Sequence, residues 1–182
     1  MEHLSKVFQV LRENKLYIKR EKCEFAQPKV HFLGHVISNG ELRMDEVKVR
    51  TIQEWEAPIK VIELRSFLGL VTYYRQFISE YSAKAVPLTE LLKKNKPWVW
   101  TEHCQKVFEC LKAAVTDEPV LALPDFAKTF EMHTDASDFA IEGVLMQDKH
   151  PISFESRKLN EMKRRYTVQK KEMTAILHCL RT

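Results

Sequence analysis

The amino-acid sequence predicts an α+β fold, because helical apolar patterns fill its first two thirds and an alternating pattern opens the last third. The side chains of residues 130–135 fall alternately on the two faces of a strand. A turn at residues 136–138 follows, and residues 140–146 and 151–154 form two further extended runs. These features predict a three-stranded antiparallel meander, and a helical pattern resumes after residue 160.

The composition limits the class of protein. With 182 residues, 45% hydrophobic and 30% charged, the chain is long enough for one or two small domains with apolar cores. No apolar run approaches about 18 residues, so we expect no membrane partner. Cysteines 23, 104, 110 and 179 form no Cys-x-x-Cys pair, which predicts reduced thiols rather than a zinc site. We therefore expect an intracellular protein, either cytoplasmic or nuclear.

The charge distribution leaves two interpretations open. The formal net charge of +4 permits nucleic-acid binding without requiring it. Basic side chains cluster early, over residues 12–22, and late, over residues 157–171. Each cluster is either a solvated helix face or part of a track that contacts phosphates.

Helices dominate the first two thirds. Apolar spacing predicts helices over residues 2–20, 44–55 and 61–81, a short helix from residue 85, and another after residue 101. Asp45 and Thr101 are the predicted N-caps.

Extended and irregular segments separate these helices. Residues 22–25 and 30–37 are expected to form two strands, and Asn39–Gly40 a tight turn. Two prolines within residues 119–125 predict a linker into the alternating segment.

The predicted helix over residues 61–81 carries an unusual polar face. At about 100° per residue, Arg65, Gly69 and Tyr73 lie on one side together with Thr72 and Gln76. An arginine can meet phosphate, a tyrosine can pack on sugars, and a glycine lets a groove approach. The alternative is an ordinary exposed face with one mildly unfavourable helical glycine.

Two acids in the last third could share a metal ion. Asp135 stands where the first predicted strand ends, and Glu172 borders the apolar stripe of the last helix, formed by Met173, Ile176, Leu177 and Leu180. A strand-end carboxylate can hold a divalent cation against a phosphate, although an aspartate before a turn is usually a turn former.

The segments HTDAS, PISFESRKLN and RRYTVQKKEMTAILHCLRT carry a resemblance in the same order and spacing. They resemble the beginning of the ribonuclease H domain of Ty3/gypsy-type retrotransposon Pol polyproteins. In that resemblance Asp135 and Glu172 take the places of the first and second metal-binding carboxylates. It implies Mg²⁺ as the cofactor and the RNA strand of an RNA–DNA hybrid as the substrate.

Two earlier segments resemble other parts of the same polyproteins. VHFLGHVIS resembles the primer-grip strands of their reverse transcriptases, which implies that Phe32, Leu33, Gly34 and His35 touch or position the primer. On residue type alone Gly34 fits a bend in a strand almost equally well. ELRSFLGLVTYYRQFI resembles the thumb helix, which implies that Arg65, Gly69 and Tyr73 face the template–primer minor groove.

The resemblance implies four segments in order. These are a palm end (1–43), a helical thumb (44–96), a connector (97–125) and a partial ribonuclease H-like domain (126–182) made of a three-stranded meander and its first helix.

The resemblance also implies what this polypeptide lacks. The Tyr-x-Asp-Asp motif of the polymerase and the later nuclease carboxylates are absent, and Glu142 stands where relatives usually carry a small residue. We therefore expect a fragment that binds an RNA–DNA hybrid or template–primer duplex without turnover, with the remainder of the Pol polyprotein as its partner. An inert or domesticated structural remnant is the alternative. Nuclease activity in trans with a complementary fragment is a third possibility.

Overall fold

The computed structural model describes residues 2–117 and 120–182. The strands are β1 (Lys29–Phe32), β2 (His35–Ser38), β3 (Glu41–Met44), β4 (Leu121–Ala122), β5 (Glu131–Ala136), β6 (Ala140–Gln147) and β7 (His150–Lys158). The helices are α1 (Glu2–Glu13), α2 (Glu46–Gln53), α3 (Val61–Tyr73), α4 (Tyr81–Lys84), α5 (Val86–Glu90), α6 (Glu102–Thr116), α7 (Glu161–Arg164) and α8 (Val168–Cys179). Short 3-10 helices span Arg20–Lys22 and Arg75–Phe77. No helix in these ranges is long and apolar enough to cross a membrane.

The strands form two antiparallel sheets, which confirms the α+β prediction. The first sheet has the order β1-β2-β3-β4, and the second is the predicted meander β5-β6-β7. In the meander, Asp135 lies opposite Glu142 and Glu142 lies opposite Ser156, so these three residues share one face.

The main core is built around α3. The predicted stripe of Leu64, Phe67, Leu68, Val71 and Tyr74 is buried and packs against α2, α5 and α6. The Phe67 ring lies 4.5 Å from the ring of Phe108 on α6, centroid to centroid. Both predicted N-caps are confirmed, because the Asp45 and Thr101 side chains accept hydrogen bonds from Val47 N and Cys104 N.

Three predicted elements in the first part of the chain are wrong in their extents. The first helix ends at Glu13 rather than residue 20, and the backbone turns at Lys15, where φ is +54°. Residues 22–25 form no strand, and residues 30–37 form two strands rather than one. The pair is joined by a two-residue turn in which Leu33 and Gly34 both have positive φ, +46° and +72°.

The long helix predicted over residues 61–81 ends at Tyr73. The chain continues through the 3-10 helix at Arg75–Phe77, and Glu80 adopts a left-handed conformation with φ of +56°. Phe77 and Ile78, which follow this break, are both buried in the core.

The predicted inward stripe of the last helix is also wrong. Met173, Ile176 and Leu177 of α8, and Leu180 directly after it, are 40–65% exposed, whereas Lys171 and Ala175 are buried against the meander. Gly143 on β6 leaves the space that Cys179 fills, since a Cβ atom at residue 143 would overlap the Cys179 sulfur. Small residues at the contact bring the helix close to the sheet, and larger side chains face outward.

Polar contacts join the helical part to the meander. Ser82 N donates to Ser156 Oγ at 2.8 Å, and Ser82 Oγ donates to the Ser156 carbonyl at 2.9 Å. Lys158 forms an ion pair with Glu90 of α5. Residue 119, in the predicted linker, lies outside the described residues.

The close contact between α8 and the meander generates a stability prediction. Gly143→Ala should lower the free energy of unfolding by about 1–3 kcal/mol, the usual range for overpacking. Adding the change to a Cys179→Ala background should cost much less, because the overlapping sulfur is gone. Urea unfolding followed by circular dichroism measures both.

Gly69→Ala on α3 is the matched control for this pair. The space around Gly69 is open, so alanine there should stabilise the helix by up to about 1 kcal/mol. Equal losses for Gly143→Ala in both backgrounds would contradict the packing described for α8.

Candidate functional site

The β1–β2 hairpin presents two apolar side chains to solvent. Phe32 closes β1, and Leu33 occupies the first turn position, where its side chain is 70% exposed. Apolar side chains held outward at a hairpin tip are suited to packing against sugars or bases.

Two tyrosines at the end of α3 hold this hairpin. Tyr74 Oη donates to the Gly34 carbonyl at 2.7 Å, and Tyr73 Oη donates to the Leu33 carbonyl. A Cβ atom on Gly34 would lie 3.1 Å from Tyr74 Oη. Glycine is therefore favoured at residue 34 for two reasons: the positive φ of the turn and the close approach of Tyr74.

His35 positions the hairpin from beneath. Its ring stacks on Phe77, with centroids 5.7 Å apart, and its Nε2 lies 3.2 Å from Gln76 Nε2. Of the four residues in the primer-grip resemblance, Phe32 and Leu33 thus face outward, whereas Gly34 and His35 fix the turn. A contact of any of them with nucleic acid stays a prediction.

The polar face of α3 adjoins the hairpin. Arg65, Gly69, Thr72 and Tyr73 are exposed, and the space above Gly69 is open. Gln76 does not belong to this face, because it lies beyond the end of α3 and contacts His35. Arg65 and Tyr73 are about two turns apart, roughly 12 Å at the helical rise. Tyr73 is the point at which this face meets the hairpin.

Asp135 lies near the turn end of β5, on the sheet face away from α8. Its cross-strand partner is Glu142, and the same face contains Phe154, which packs against the main core. Helix α8 covers the opposite face, where Ala136 and Ile141 surround Ala175. Asp135, Glu142 and Ser79 line a shallow cavity between the sheet and the helical part.

Glu172 approaches the same end of the sheet on α8. Helical periodicity places it on the stripe of Ala175 and Cys179, which faces the meander, and it is half-buried. Asp135 lies on the sheet face away from α8, whereas Glu172 lies on the helix that covers the other face, so the structure does not bring the two carboxylates together on one face of the sheet. Within residues 2–117 and 120–182 neither carboxylate has an ion-pair partner, and no cluster of three or more potential metal ligands occurs. Their joint metal site stays a prediction.

A buried lysine connects the two segments that carry these acids. Lys171 is 5% exposed, and its Nζ lies 2.6 Å from Asp138 Oδ1 in the β5–β6 turn. The hydrogen bond from Lys171 holds the pKa of Asp138 below its usual value. Sequence reasoning placed Lys171 in the late basic cluster and missed this role. Its position one turn before the small Ala175 was the available signal.

Glu142 adds a second carboxylate beside Asp135. Burial raises the pKa of Glu142, repulsion by Glu80 and Asp135 raises it further, and Lys84 opposes the change. Glu142 lies at the contact between the sheet and the helical part, and this environment disfavours its ionised form.

Known proteins resemble the chain in sequence. The family described as "RNase H-like domain found in reverse transcriptase" matches residues 100–182. The Retrovirus-related Pol polyprotein from transposon 297 of Drosophila melanogaster is 40% identical over 186 aligned positions. The Transposon Tf2-3 polyprotein of Schizosaccharomyces pombe is 37% identical. Both alignments cover 100% of this chain but only 18% and 14% of those polyproteins, so the chain spans less than a fifth of their length.

Solved structures share the fold. A foamy viral protease-reverse transcriptase in complex with RNA/DNA hybrid superimposes with a TM-score of 0.84, at 22% identity, over 98% of this chain and 25% of that one. The same type of protein in complex with dsDNA gives 0.80 at 23% identity, over 98% of this chain and 39% of that one.

The environment of Glu142 gives a pH prediction. A raised pKa in the folded state means that protonated Glu142 stabilises the fold below its unfolded value of 4.5, and this stability is lost as pH rises through the folded value. Glu142→Gln should therefore unfold at higher urea than the unaltered chain at pH 7, and the difference should shrink toward pH 4. Glu131→Gln is the control, because Glu131 lies on the same face of the sheet as Glu142 but is exposed to solvent. Equal stability of the Glu142→Gln variant and the unaltered chain at pH 7 would contradict the prediction.

Proposed function

Since this chain belongs to the retrotransposon Pol polyproteins and carries, over residues 100–182, the RNase H-like domain found in reverse transcriptase, we propose that it binds an RNA–DNA duplex. The observation that carries the proposal is the bond of Tyr73 Oη to the Leu33 carbonyl. It joins the outward face of α3 to the hairpin tip in one continuous surface. We call Phe32, Leu33, Arg65, Gly69 and Tyr73 the duplex surface.

The chemistry of the duplex surface suits a nucleic-acid backbone. Arg65 supplies a guanidinium for phosphate, and Phe32, Leu33 and Tyr73 supply apolar area for sugars. Gly69 leaves room for the backbone to approach α3. These groups read no base pattern, so binding should be largely independent of sequence and sensitive to salt. The foamy viral structures in complex with RNA/DNA hybrid and dsDNA support a duplex as the ligand.

We propose that Asp135 and Glu172 contribute to a weak magnesium site. Mg²⁺ is commonly held in proteins by one or two carboxylates together with water and substrate phosphates, and these two acids have no ion-pair partner among the described residues. When bound, the ion would stabilise negative charge on a phosphodiester. This chain would contribute the two acids, and the Lys171–Asp138 pair joins the start of α8 to the turn that follows Asp135.

The complete activity is proposed for the longer polyproteins. RNA-directed DNA synthesis and endonuclease cleavage of RNA in hybrids require the remainder of Pol as a partner, and we assign duplex binding to this chain. We also propose that residues 1–43, 44–96, 97–125 and 126–182 act as palm end, thumb, connector and nuclease-like segment.

Substitutions on the duplex surface test the binding proposal. Arg65→Ala should weaken binding of an RNA–DNA duplex and reduce the slope of log K against log salt by about 0.9, the value for one lost phosphate contact. Tyr73→Ala should weaken binding by about tenfold, since it removes an aromatic contact and releases the hairpin. Filter binding at several salt concentrations measures both effects.

Lys106→Ala on α6 is the control, because this exposed cation pairs with Glu102 away from the duplex surface. Binding that is unchanged by Arg65→Ala and Tyr73→Ala would favour a structural remnant without a nucleic-acid role.

Magnesium binding is tested separately from duplex binding. Asp135→Asn or Glu172→Gln should lower Mg²⁺ affinity in calorimetry by about tenfold or more, because even outer partners of metal ligands contribute that much. Asp148→Asn, which pairs with Lys128 at the other end of the meander, should leave the affinity unchanged. Equal affinities for all three variants would remove the metal site from the proposal.

A further inference from the structure

The apolar contact that holds α8 on the meander is small. Its buried residues are Ile141, Leu159 and Ala175, whereas the larger apolar side chains of α8 are exposed. Segments with few buried apolar contacts open locally at a low free energy, so polar contacts contribute a large share of what fixes α8 in position.

Polar contacts hold α8 at both of its ends. Near its start, Lys171 binds Asp138, which lies in the β5–β6 turn of the meander itself. At its end, His178 Nε2 lies 3.0 Å from Glu155 Oε1 on β7. The first contact stays within the meander and its helix, whereas the second continues into the helical part through Glu155.

Glu155 reaches the helical part with its other oxygen. Its Oε2 lies 3.3 Å from a terminal guanidinium nitrogen of Arg75, in the 3-10 helix that follows α3. The side chains of Glu155 and His178 are each 18% exposed, so their contact is partly shielded from water, which strengthens directional bonds. One carboxylate therefore joins the end of α8 to the end of α3. We call Arg75, Glu155 and His178 the Glu155 bridge.

The Glu155 bridge lies between the duplex surface and one acid of the predicted metal pair. The 3-10 helix that contains Arg75 also supports the β1–β2 hairpin, because Gln76 Nε2 lies 3.2 Å from His35 Nε2. At the other end of the bridge, α8 carries Glu172 nearly two turns before His178. A continuous series of side-chain contacts thus connects the hairpin to the helix of Glu172.

We infer that the Glu155 bridge couples the duplex surface to α8, so that a duplex bound at that surface stabilises α8 and positions Glu172. This inference rests on the proposed function and adds a way for the duplex to regulate the acid. A bound duplex orders the hairpin and the adjoining 3-10 helix, which holds Arg75 against Glu155 and, through Glu155, His178. Glu155 is a positioning residue, because it acts through its two partners.

Glu155→Ala and Glu90→Ala form a matched pair for the first test. Glu90 likewise binds two cations, Lys93 and Lys158, and joins the helical part to the meander, but neither cation belongs to α8. A saturating RNA–DNA duplex should slow hydrogen–deuterium exchange of the α8 amides about fivefold or more, the lower end of typical coupling between sites. Glu155→Ala should abolish this protection, and Glu90→Ala should retain it. Equal protection of α8 in both variants would overturn the inference.

Glu155→Gln tests the carboxylate without removing the side chain. The amide keeps one oxygen acceptor and the shape of glutamate but loses the charge that binds Arg75 and His178, so the protection of α8 should be reduced. Full protection of α8 in a Glu155→Gln variant that has the melting temperature of the unaltered chain would also overturn the inference.

A second measurement requires no duplex. Arg75→Ala and His178→Ala are made singly and together, both in the unaltered chain and in a Glu155→Ala background, and the exchange of the α8 amides is followed in each. Because both side chains act through one carboxylate, their combined effect should be smaller than the product of the single effects, and the Glu155→Ala background should show neither effect.

The outcome separates this inference from the proposed function. Effects of Arg75→Ala and His178→Ala that multiply in both backgrounds would overturn the Glu155 bridge even where the duplex binds. Non-multiplicative effects in a chain that filter binding shows not to bind a duplex would support the bridge and contradict the proposed function instead.

Discussion

Helix α3 is fixed at its middle, in the main core, and at its C-terminal end, and the remainder of the described structure depends on those two attachments. Phe67 packs against Phe108 in the main core, which positions the helix axis. At the C-terminal end, adjacent tyrosines donate to adjacent carbonyls of the β1–β2 turn. Tyr74 does so from inside the core, and Tyr73 does so from the exposed face. The chain leaves α3 directly after Tyr73, and Phe77 of the following 3-10 helix is buried in the core.

Close packing of small residues determines how α8 lies on the meander. Gly143 and Ala175 let α8 lie close to β6, and this contact determines which sides of α8 face the sheet and the solvent. Cys179, two turns after Glu172, fills the space at Gly143. The Lys171–Asp138 pair then connects the start of α8 to the turn that follows Asp135. The position of Glu172 relative to Asp135 thus depends on small side chains that lie several residues away from both acids.

Local rules predicted much of this fold from the sequence. The N-caps at Asp45 and Thr101, the α3 stripe and the three strands of the meander depend on neighbouring residues, and the structure contains all of them. The orientation of α8 depends instead on Gly143, some 30 residues earlier, which no helical periodicity can reveal. The turn at Leu33 was hidden because a leucine with φ of +46° gives no turn signal of its own.

Within the candidate site, the outward face of α3 followed from spacing alone, and so did the positions of Asp135 and Glu172 in their elements. The supporting contacts did not, because they join residues far apart in the sequence. Lys171 illustrates the reason. In the sequence Lys171 is one charge in a basic cluster. In the structure it is buried and paired with Asp138, so it joins α8 to the β5–β6 turn.

The contact between the helical part and the meander is polar where the main core is apolar. The Ser82–Ser156 pair satisfies a buried hydroxyl and a backbone amide together, and Glu155 bonds both Arg75 and His178. Such contacts depend on direction, so they hold the meander in one orientation relative to α3 more strictly than apolar packing would. This orientation is what gives the duplex surface and the free edge of β5 a fixed spacing. Under the proposed function, a strand bound on α3 would meet the acids at a distance set by the protein rather than by the flexibility of a linker.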